Sequence, residues 1–237
     1  MRKIPILLIP RLIINYLCGK LGLSQWLLAG GRAYKMKDAR GSITLLIVQL
    51  EHSAKFYKPL VALRPGDTVL DLGAHVGGFT IPLAARHPKT NFICYEPDPI
   101  NYANLKRNVR NAKLKNVSAH LTAVAPKDGP MEIKHDRSNT GGSTAQPSQT
   151  LTGNGGTTYA NIRKQHGLDK IRLLKIDIEG AEHDCFKSEE DWNNVDSLIA
   201  EIHCAPNLDT TPTLEHFKKC ARYRLFLEPS KPELVEN

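Results

Sequence analysis

Four apolar stretches of this chain run into residues that titrate. Thr68–Leu72 carries Asp71, Asn91–Tyr95 is followed by Glu96, Ile171–Ile176 is followed by Asp177 and Glu179, and Ser197–His203 holds Glu201 and His203. One carboxylate at the end of a buried strand is an ordinary cap. Four of them converge on one edge if the strands are parallel, and ligands bind beyond that edge in open α/β sheets. Carboxylates there accept hydrogen bonds from hydroxyls, attract cations and take up protons, and an imidazole titrates near neutrality.

The turn after Asp71 narrows the ligand. Gly73, Gly77 and Gly78 follow it, and a helix is expected from about Phe79. Glycines at such a turn let backbone N–H groups approach a ligand, and a helix N-terminus adds partial positive charge. A dinucleotide fingerprint has the order Gly-x-Gly-x-x-Gly and seats a pyrophosphate. Here the order is Asp71-x-Gly73-x-x-x-Gly77. A carboxylate two residues before the first glycine repels a pyrophosphate and suits an ammonium or sulfonium group. Glu96 lies 25 positions after Asp71, where a ribose-binding carboxylate belongs in a nucleotide-binding βαβ unit. S-adenosylmethionine carries the positive charges and the ribose together, and it is the expected cofactor.

The elements that must position these groups alternate. A helix continues through Pro82–Arg86, Asp98 caps another that begins at Pro99, and Tyr102, Leu105, Val109 and Ala112 form its core stripe. A third strand is expected over Val117–Val124, a short helix over Tyr159–Gln165 closed by Gly167, a helix over 213–221 and a last strand over Tyr223–Glu228. This alternation predicts an α/β domain with a mostly parallel sheet and helices on both faces. Ile43–Val48 reads as one more buried strand, and residues 138–158, which lack any charge and are rich in Gly, Ser, Thr and Asn, read as a flexible loop that could cover substrate.

With 237 residues and 41% apolar content the chain can bury a full core. Its net charge of +8 is concentrated: residues 1–37 contain seven basic residues and no acidic one, so the rest carries +1. The domain therefore lacks the diffuse basic face of a nucleic-acid binder. This divides the chain into an N-terminal basic segment, 1–37, and a domain, 38–237. The start resembles a signal peptide, but Arg11 and Lys20 interrupt it, and the longest charge-free stretch, Leu21–Gly31, is too short to span a membrane. From Pro10, the residues Arg11, Asn15, Gly19 and Gly22 repeat at helical spacing, with Ile13, Ile14, Leu17 and Leu21 largely off that stripe. Such a helix either lies on an anionic membrane surface or packs against the domain or a partner subunit. Five widely spaced cysteines without a Cys-x-x-Cys pair read as reduced thiols of a cytoplasmic protein.

Taken together these motifs resemble the FkbM family of class I S-adenosylmethionine-dependent methyltransferases, over roughly residues 60–228. The resemblance rests on Val69–Thr80, on Tyr95-Glu-Pro-Asp-Pro99 with Asn101, Leu105, Asn108 and Asn111, on Asn139-Thr-Gly-Gly-Ser143, and above all on Leu174-Lys-Ile-Asp-Ile-Glu-Gly-Ala-Glu182 with Glu201-Ile-His203. It implies a Rossmann-like sheet and O-methylation of a sugar, glycan or secondary metabolite. It also implies that part of the 138–158 stretch is ordered near the site. Two positions depart from the family pattern: His75 stands where Asn is usual, and Ala125-Pro126 replaces Ala-Leu-Gly. By this resemblance Asp71, Gly73, His75, Gly77, Glu96 and Asp177 hold the cofactor, and Asp177, Glu179 and His203 form the catalytic end. Either Asp177 or His203 serves as base, with Glu179 and Glu182 available to acceptor hydroxyls or, for Glu182, to its helix start. Asp177, Glu179 and His203 also suit a hard metal ion, although no spacing demands one, and none is expected. Two rivals remain on sequence grounds: a nucleic-acid or protein methyltransferase, and a non-catalytic membrane-peripheral module on the same fold.

Overall fold

The computed structural model describes residues 9–53, 56–136, 139–148, 155–188, 190–204, 208–228 and 234–236. The signal-like opening up to residue 8 and positions 149–154 of the uncharged stretch lie outside the described residues. The chain begins with helix α1 (Ile9–Lys20), a hairpin of β1 (Gln25–Ala29) and β2 (Arg32–Met36), and helix α2 (Thr44–Ser53). Then β3 (Thr68–Leu72), α3 (Thr80–Arg86), β4 (Asn91–Tyr95), α4 (Pro99–Asn111) and β5 (Val117–His120) alternate as expected. After β6 (Ala123–Val124), β7 (Gly129–Lys134), β8 (Thr144–Pro147) and β9 (Gly155–Thr157), the alternation resumes. It continues with α5 (Tyr159–His166), β10 (Leu173–Ile176), α6 (Glu182–Cys185), β11 (Leu198–His203), α7 (Thr211–Phe217), β12 (Tyr223–Glu228) and β13 (Leu234–Glu236).

The main sheet has seven strands in the order β13-β12-β11-β10-β3-β4-β5, parallel except for β13. The chain order reverses direction between β3 and β10, and that switch point is where a crevice opens at the strand ends. Being covered on both faces makes β3 and β10 buried nearly throughout, apolar apart from Thr68 at the start of β3 and one paired charge each, Asp71 and Lys175. One face packs Leu70, Leu72, Leu174 and Ile176 against Tyr159 and Ile162 of α5 and Phe217 of α7. The other packs Val69, Leu173 and Ile199 against Leu45 and Val48 of α2 and Ile81 and Leu83 of α3. Each such Leu or Ile removed from water contributes about 1.5–3 kcal/mol, so this double-sided core sets the strand ends rigidly.

Four expected elements differ from what the sequence pattern suggests. Of Ile43–Val48, expected as a strand, Thr44–Val48 forms the first half of α2. Short apolar runs do not distinguish strand from helix. Here the run continues through Gln49-Leu-Glu, Leu45, Val48 and Gln49 are buried at helical spacing, and the Ser42 hydroxyl accepts from the Thr44 N–H. The third strand breaks in two: β5 stays in the main sheet while β6 turns away to join β9. Residues 139–148 and 155–158 are no open loop, since β8 pairs with β7, β9 pairs with β6 and β7, and Thr140–Gly142 forms a turn of 3₁₀ helix. The helix expected at 213–221 spans Thr211–Phe217. No described helix is long and apolar enough to cross a membrane.

Candidate active site

The glycine turn is built by close approach. Gly73 has φ +78°, and a Cβ there would lie 1.7 Å from the Asp177 carbonyl oxygen, so the turn after β3 touches the end of β10 directly. The N–H groups of Gly73 and Ala74 both donate to the Tyr95 carbonyl, at 3.0 and 2.9 Å, which ties the turn to β4 as well. Gly77 serves a different purpose from the one expected. Its φ is +90°, and a Cβ would sit 2.7 Å from Ile81 and 2.8 Å from Leu105. It lets the loop settle onto α3 and α4, and it does not line the cavity.

That cavity, about 300 Å³, opens at the switch point. At one end stands Glu96, only 5% exposed. Its carboxylate accepts from the backbone N–H of His75 at 2.7 Å and of Asp98 at 3.0 Å, and from the Asn101 amide at 3.4 Å. Burial raises its pKa to about 7 against the pull of these donors. Asp98 in turn caps α4, its side chain accepting from the N–H groups of Ile100 and Asn101. The carboxylate is thus held in place from two neighbouring loops.

Beneath the turn lies an ion-paired ladder. In the β3–β10 register Lys175 is opposite Asp71. Its ammonium lies 3.5 Å from the Asp71 carboxylate and 3.1 Å from that of Asp177, and donates to the Gly73 carbonyl at 2.6 Å. Asp71 also accepts from the Thr80 hydroxyl at 2.6 Å. Burial works against the charged lysine, but Asp177 and Asp71 outweigh it and hold the ammonium well above its ordinary pKa. Asp71, expected to meet the cofactor's positive charge, meets Lys175 instead. It is fully buried and does not line the cavity; Lys175 and Asp177 do. The central strand has no water to solvate a carboxylate, so an ion pair satisfies it.

At the opposite end from Glu96, His203 lies between two glutamates. Its Nε2 is 3.2 Å from the Glu179 carboxylate and its Nδ1 is 3.0 Å from that of Glu182. Glu182 is completely buried, and also accepts from the backbone N–H groups of His203 at 2.6 Å and Gly180 at 2.9 Å. Burial opposes charge on the ring, yet the bonds to Glu179 and Glu182 prevail and lift the His203 pKa to about 12. At neutral pH the ring is an imidazolium and has no lone pair to offer. This reverses the expectation of a near-neutral histidine base. Burial raises the pKa of Glu179, which is held at the unusual φ of +55°.

The cavity wall includes residues the sequence motifs leave unmarked. Thr44, Ile47, Val48 and Glu51 of α2 line it, as does Tyr57, whose hydroxyl donates to Glu51 at 2.6 Å. Thr140 ties this wall to the turn: its hydroxyl lies 2.9 Å from Ser42 Oγ, 2.7 Å from His75 Nε2 and donates to Asp38 at 2.9 Å, while its carbonyl accepts from Asn101 at 2.9 Å. Asn139, Gly141 and Ser143 line the cavity beside it, and Asn139 accepts from Thr44 at 2.7 Å. His75 therefore connects the glycine turn to this knot.

Gly73, His75, Glu96, Asp177, Glu179 and His203 meet at the cavity as expected, whereas Asp71 and Gly77 stand behind its wall. Lys175 was hidden in the sequence as a lone charge inside an apolar strand, and that oddity was its signal. Tyr57 and Glu51 carried none, because their wall belongs to a segment read as strand and linker. Asp177, Glu179 and His203 present ligand atoms within 4.8 Å of one another. Two of the three are already held by cations or carboxylates of the chain, Asp177 by Lys175 and His203 by Glu182.

The family model of the methyltransferase FkbM domain matches residues 71–227. The 31-O-demethyl-FK506 methyltransferase FkbM of Streptomyces tacrolimicus is 28% identical over 178 residues, 60% of this chain and 68% of that protein. The 2-O-methyltransferase NoeI of Sinorhizobium fredii is 26% identical over 153 residues, 56% of this chain and 62% of that protein. The chain spans about two thirds of the length of the curated relatives it matches. A solved S-adenosylmethionine-dependent methyltransferase from Agrobacterium tumefaciens aligns with 89% of this chain and 54% of its own at 8% identity, with a TM-score of 0.45.

Proposed function

The chain belongs to the FkbM methyltransferase family, whose methyl donor is S-adenosylmethionine, and from that premise we propose that it methylates a hydroxyl of a sugar, glycan or secondary metabolite. The observation that carries this reading is the cavity with a buried carboxylate, Glu96, at one end and the Asp177, Glu179 and His203 cluster at the other. The residues fit the donor. Gly73 lines the cavity with bare backbone where a Cβ would strike the Asp177 carbonyl, and Glu96 keeps one free acceptor site for a ribose hydroxyl, a second hydroxyl taking the place of the long 3.4 Å Asn101 contact. The carboxylates of Asp177 and Glu179, with Glu201 beside them on the cavity wall, make this edge attractive to a cation.

When bound, the donor supplies an already activated methyl group on a sulfonium. The chain's task is to align the acceptor oxygen and remove its proton. An imidazolium cannot take that proton. Glu179 can: its carboxyl is pushed above the ordinary range by burial, and His203 fixes its orientation at 3.2 Å. Asp177 stands beside it on the cavity wall, its carboxylate 3.1 Å from the Lys175 ammonium. The acceptor's O–H proton would pass to Glu179, freeing the oxygen to take the methyl group that a bound donor would supply. Thr44, Asn139, Ser143 and Glu51 line the cavity with hydrogen-bonding groups, which suits a polyhydroxylated acceptor. The relatives named for 31-O- and 2-O-methylation support an oxygen as the acceptor atom.

The test has two parts. Calorimetry with S-adenosylhomocysteine on the folded protein should show one site per chain, weakened at least tenfold by Glu96→Ala; absence of binding by wild type ends the reading. Labelled methyl donor offered with mono- and oligosaccharides and hydroxylated metabolites should then give an alkali-stable methyl ether. Transfer to protein or RNA alone would instead favour the rival methyltransferase class.

A further inference from the structure

Seven of the nine large hydrophobic side chains most exposed among the described residues fall between Ile13 and Trp26. Leu21 is 63% exposed, Ile14 57% and Ile13 55%. They are not the edge of a poorly placed helix. Successive steps of about 100° put Ile13, Ile14, Tyr16, Leu17 and Lys20 on one side of α1 and Asn15 and Gly19 on the other.

It is this second, polar side that meets the domain. Asn15 is 2% exposed and grips the edge of the hairpin, its amide donating to the Trp26 carbonyl at 2.8 Å and its oxygen accepting from the Trp26 N–H at 3.0 Å. The Gly19 carbonyl accepts from the Gly41 N–H at 2.8 Å, and a Cβ on Gly19 would come within 2.8 Å of the Ser42 carbonyl. Both contacts require that face inward. The helix is therefore locked with its apolar side facing out, the reverse of the usual arrangement on a globular surface.

We infer that this outward face of α1 and the adjoining hairpin docks the enzyme on an anionic lipid bilayer. The charges beside it select that occupant. Trp26 and Lys35 are cross-strand partners in the β1–β2 register and both are exposed, so an indole and an ammonium share the outer face of the hairpin. Lys20 lies 5.5 Å above the Tyr16 ring on the helix. Arg32 is exposed at the start of β2. An aromatic ring with a neighbouring cation suits the headgroup level of a bilayer, where the ring sinks to the acyl boundary and the cation meets phosphate. Residues 1–37 hold seven basic residues and no carboxylate to repel those phosphates. The same count disfavours a second copy as occupant, because a two-fold contact would oppose these charges with themselves. α1 rests against α2, whose Thr44 and Val48 line the cavity, so a docked bilayer covers this outer layer and leaves the cavity wall in place.

The experiment is vesicle co-sedimentation of the full chain, with phosphatidylcholine alone or mixed with phosphatidylglycerol. Binding to the anionic vesicles should exceed binding to neutral ones by about a hundredfold, as expected for three basic side chains at the surface, and should weaken with salt. Trp26 fluorescence should shift to the blue on the anionic vesicles only. The double variant Leu17→Glu, Leu21→Glu should lose vesicle binding while its affinity for S-adenosylhomocysteine stays at the wild-type value, which shows that it is folded. Lys20→Ala with Lys35→Ala should weaken binding without removing the apolar face. Equal binding to neutral and anionic vesicles, no binding by wild type, or undiminished binding by the double glutamate variant would overturn the proposal. So would a dimer in solution that the glutamate variant dissociates while wild type ignores lipid.

Discussion

The carboxyl edge of the main sheet and the outer face of α1 solve opposite problems. At the sheet edge, charged groups lie in the interior and answer one another: Lys175 stands between Asp71 and Asp177, and His203 between Glu179 and Glu182. At α1, apolar groups lie in water while Asn15 and Gly19 make the seal with the domain. Buried charge is tolerated only when paired, and here the pairing shifts proton affinities toward chemistry. A run of exposed apolar side chains is uncommon on a folded domain and is the kind of surface that contacts another one. On the readings proposed above, the first region changes a bond and the second meets a lipid surface.

The comparison can be broken most severely at glycine. Gly73 and Gly31 have nearly the same φ, +78° and +76°, but Gly73 lies against the Asp177 carbonyl whereas Gly31, in the hairpin turn, has nothing within 4 Å. Gly73→Ala should destabilise the fold by about 4 kcal/mol or more and abolish S-adenosylhomocysteine binding. Gly31→Ala should cost only about 1 kcal/mol in thermal or urea unfolding. If the two variants melt alike, close approach is not what the glycine turn serves.

Next in size is Glu179→Gln, which keeps the shape of the cluster and removes the proton acceptor. Its kcat should fall about 10²- to 10⁴-fold with little change in S-adenosylhomocysteine affinity. Because burial raises the Glu179 pKa, wild-type kcat should decline with acidity at a pH above that of an ordinary carboxylate. A histidine base would instead leave this variant active. Asn15→Ala strands the Trp26 N–H and carbonyl, and should lower stability by about 1–3 kcal/mol without touching cofactor affinity.

A proton linkage sharpens the catalytic side further. Glu96 has a pKa of about 7 in the free cavity, and ribose hydroxyls donate to its ionised form. Binding therefore lowers that pKa and releases a proton, so affinity rises as the carboxyl ionises. S-adenosylhomocysteine should bind about tenfold tighter near pH 8 than near pH 6, and Glu96→Gln should flatten the profile. The smallest effect is expected at Leu17→Glu, an exposed position, where stability should move by no more than about 0.5 kcal/mol.

Much of the fold was readable because its signals are local. Asp98 and Pro99 start α4, Gly167 ends α5 in the left-handed conformation, and the apolar runs of β3, β4 and β10 have the length and bounds of buried strands. Ile43–Val48 misled for the same reason, since a six-residue apolar run has no periodicity of its own and only packing on Val69 and Phe79 makes it helical. The uncharged 138–158 stretch misled because composition counts charges and cannot count partners. Thr140 alone has hydroxyl contacts with Ser42, His75 and Asp38, all distant in the chain.

By itself the sequence determined the alternation of strands and helices, the family through Leu174–Glu182 and the glycine turn, and the set of titratable residues brought to one edge. It also determined the basic, acid-free N-terminus. Only the tertiary structure decided which of those residues touch the cavity and in what company: Asp71 turned inward to Lys175, and His203 charged between Glu179 and Glu182. It likewise decided that α1 presents its apolar side outward. The reason is common to these cases. Periodicity and spacing say which residues share a strand end or a helix face, but proton affinity and orientation depend on burial and on partners supplied by segments far away in the chain.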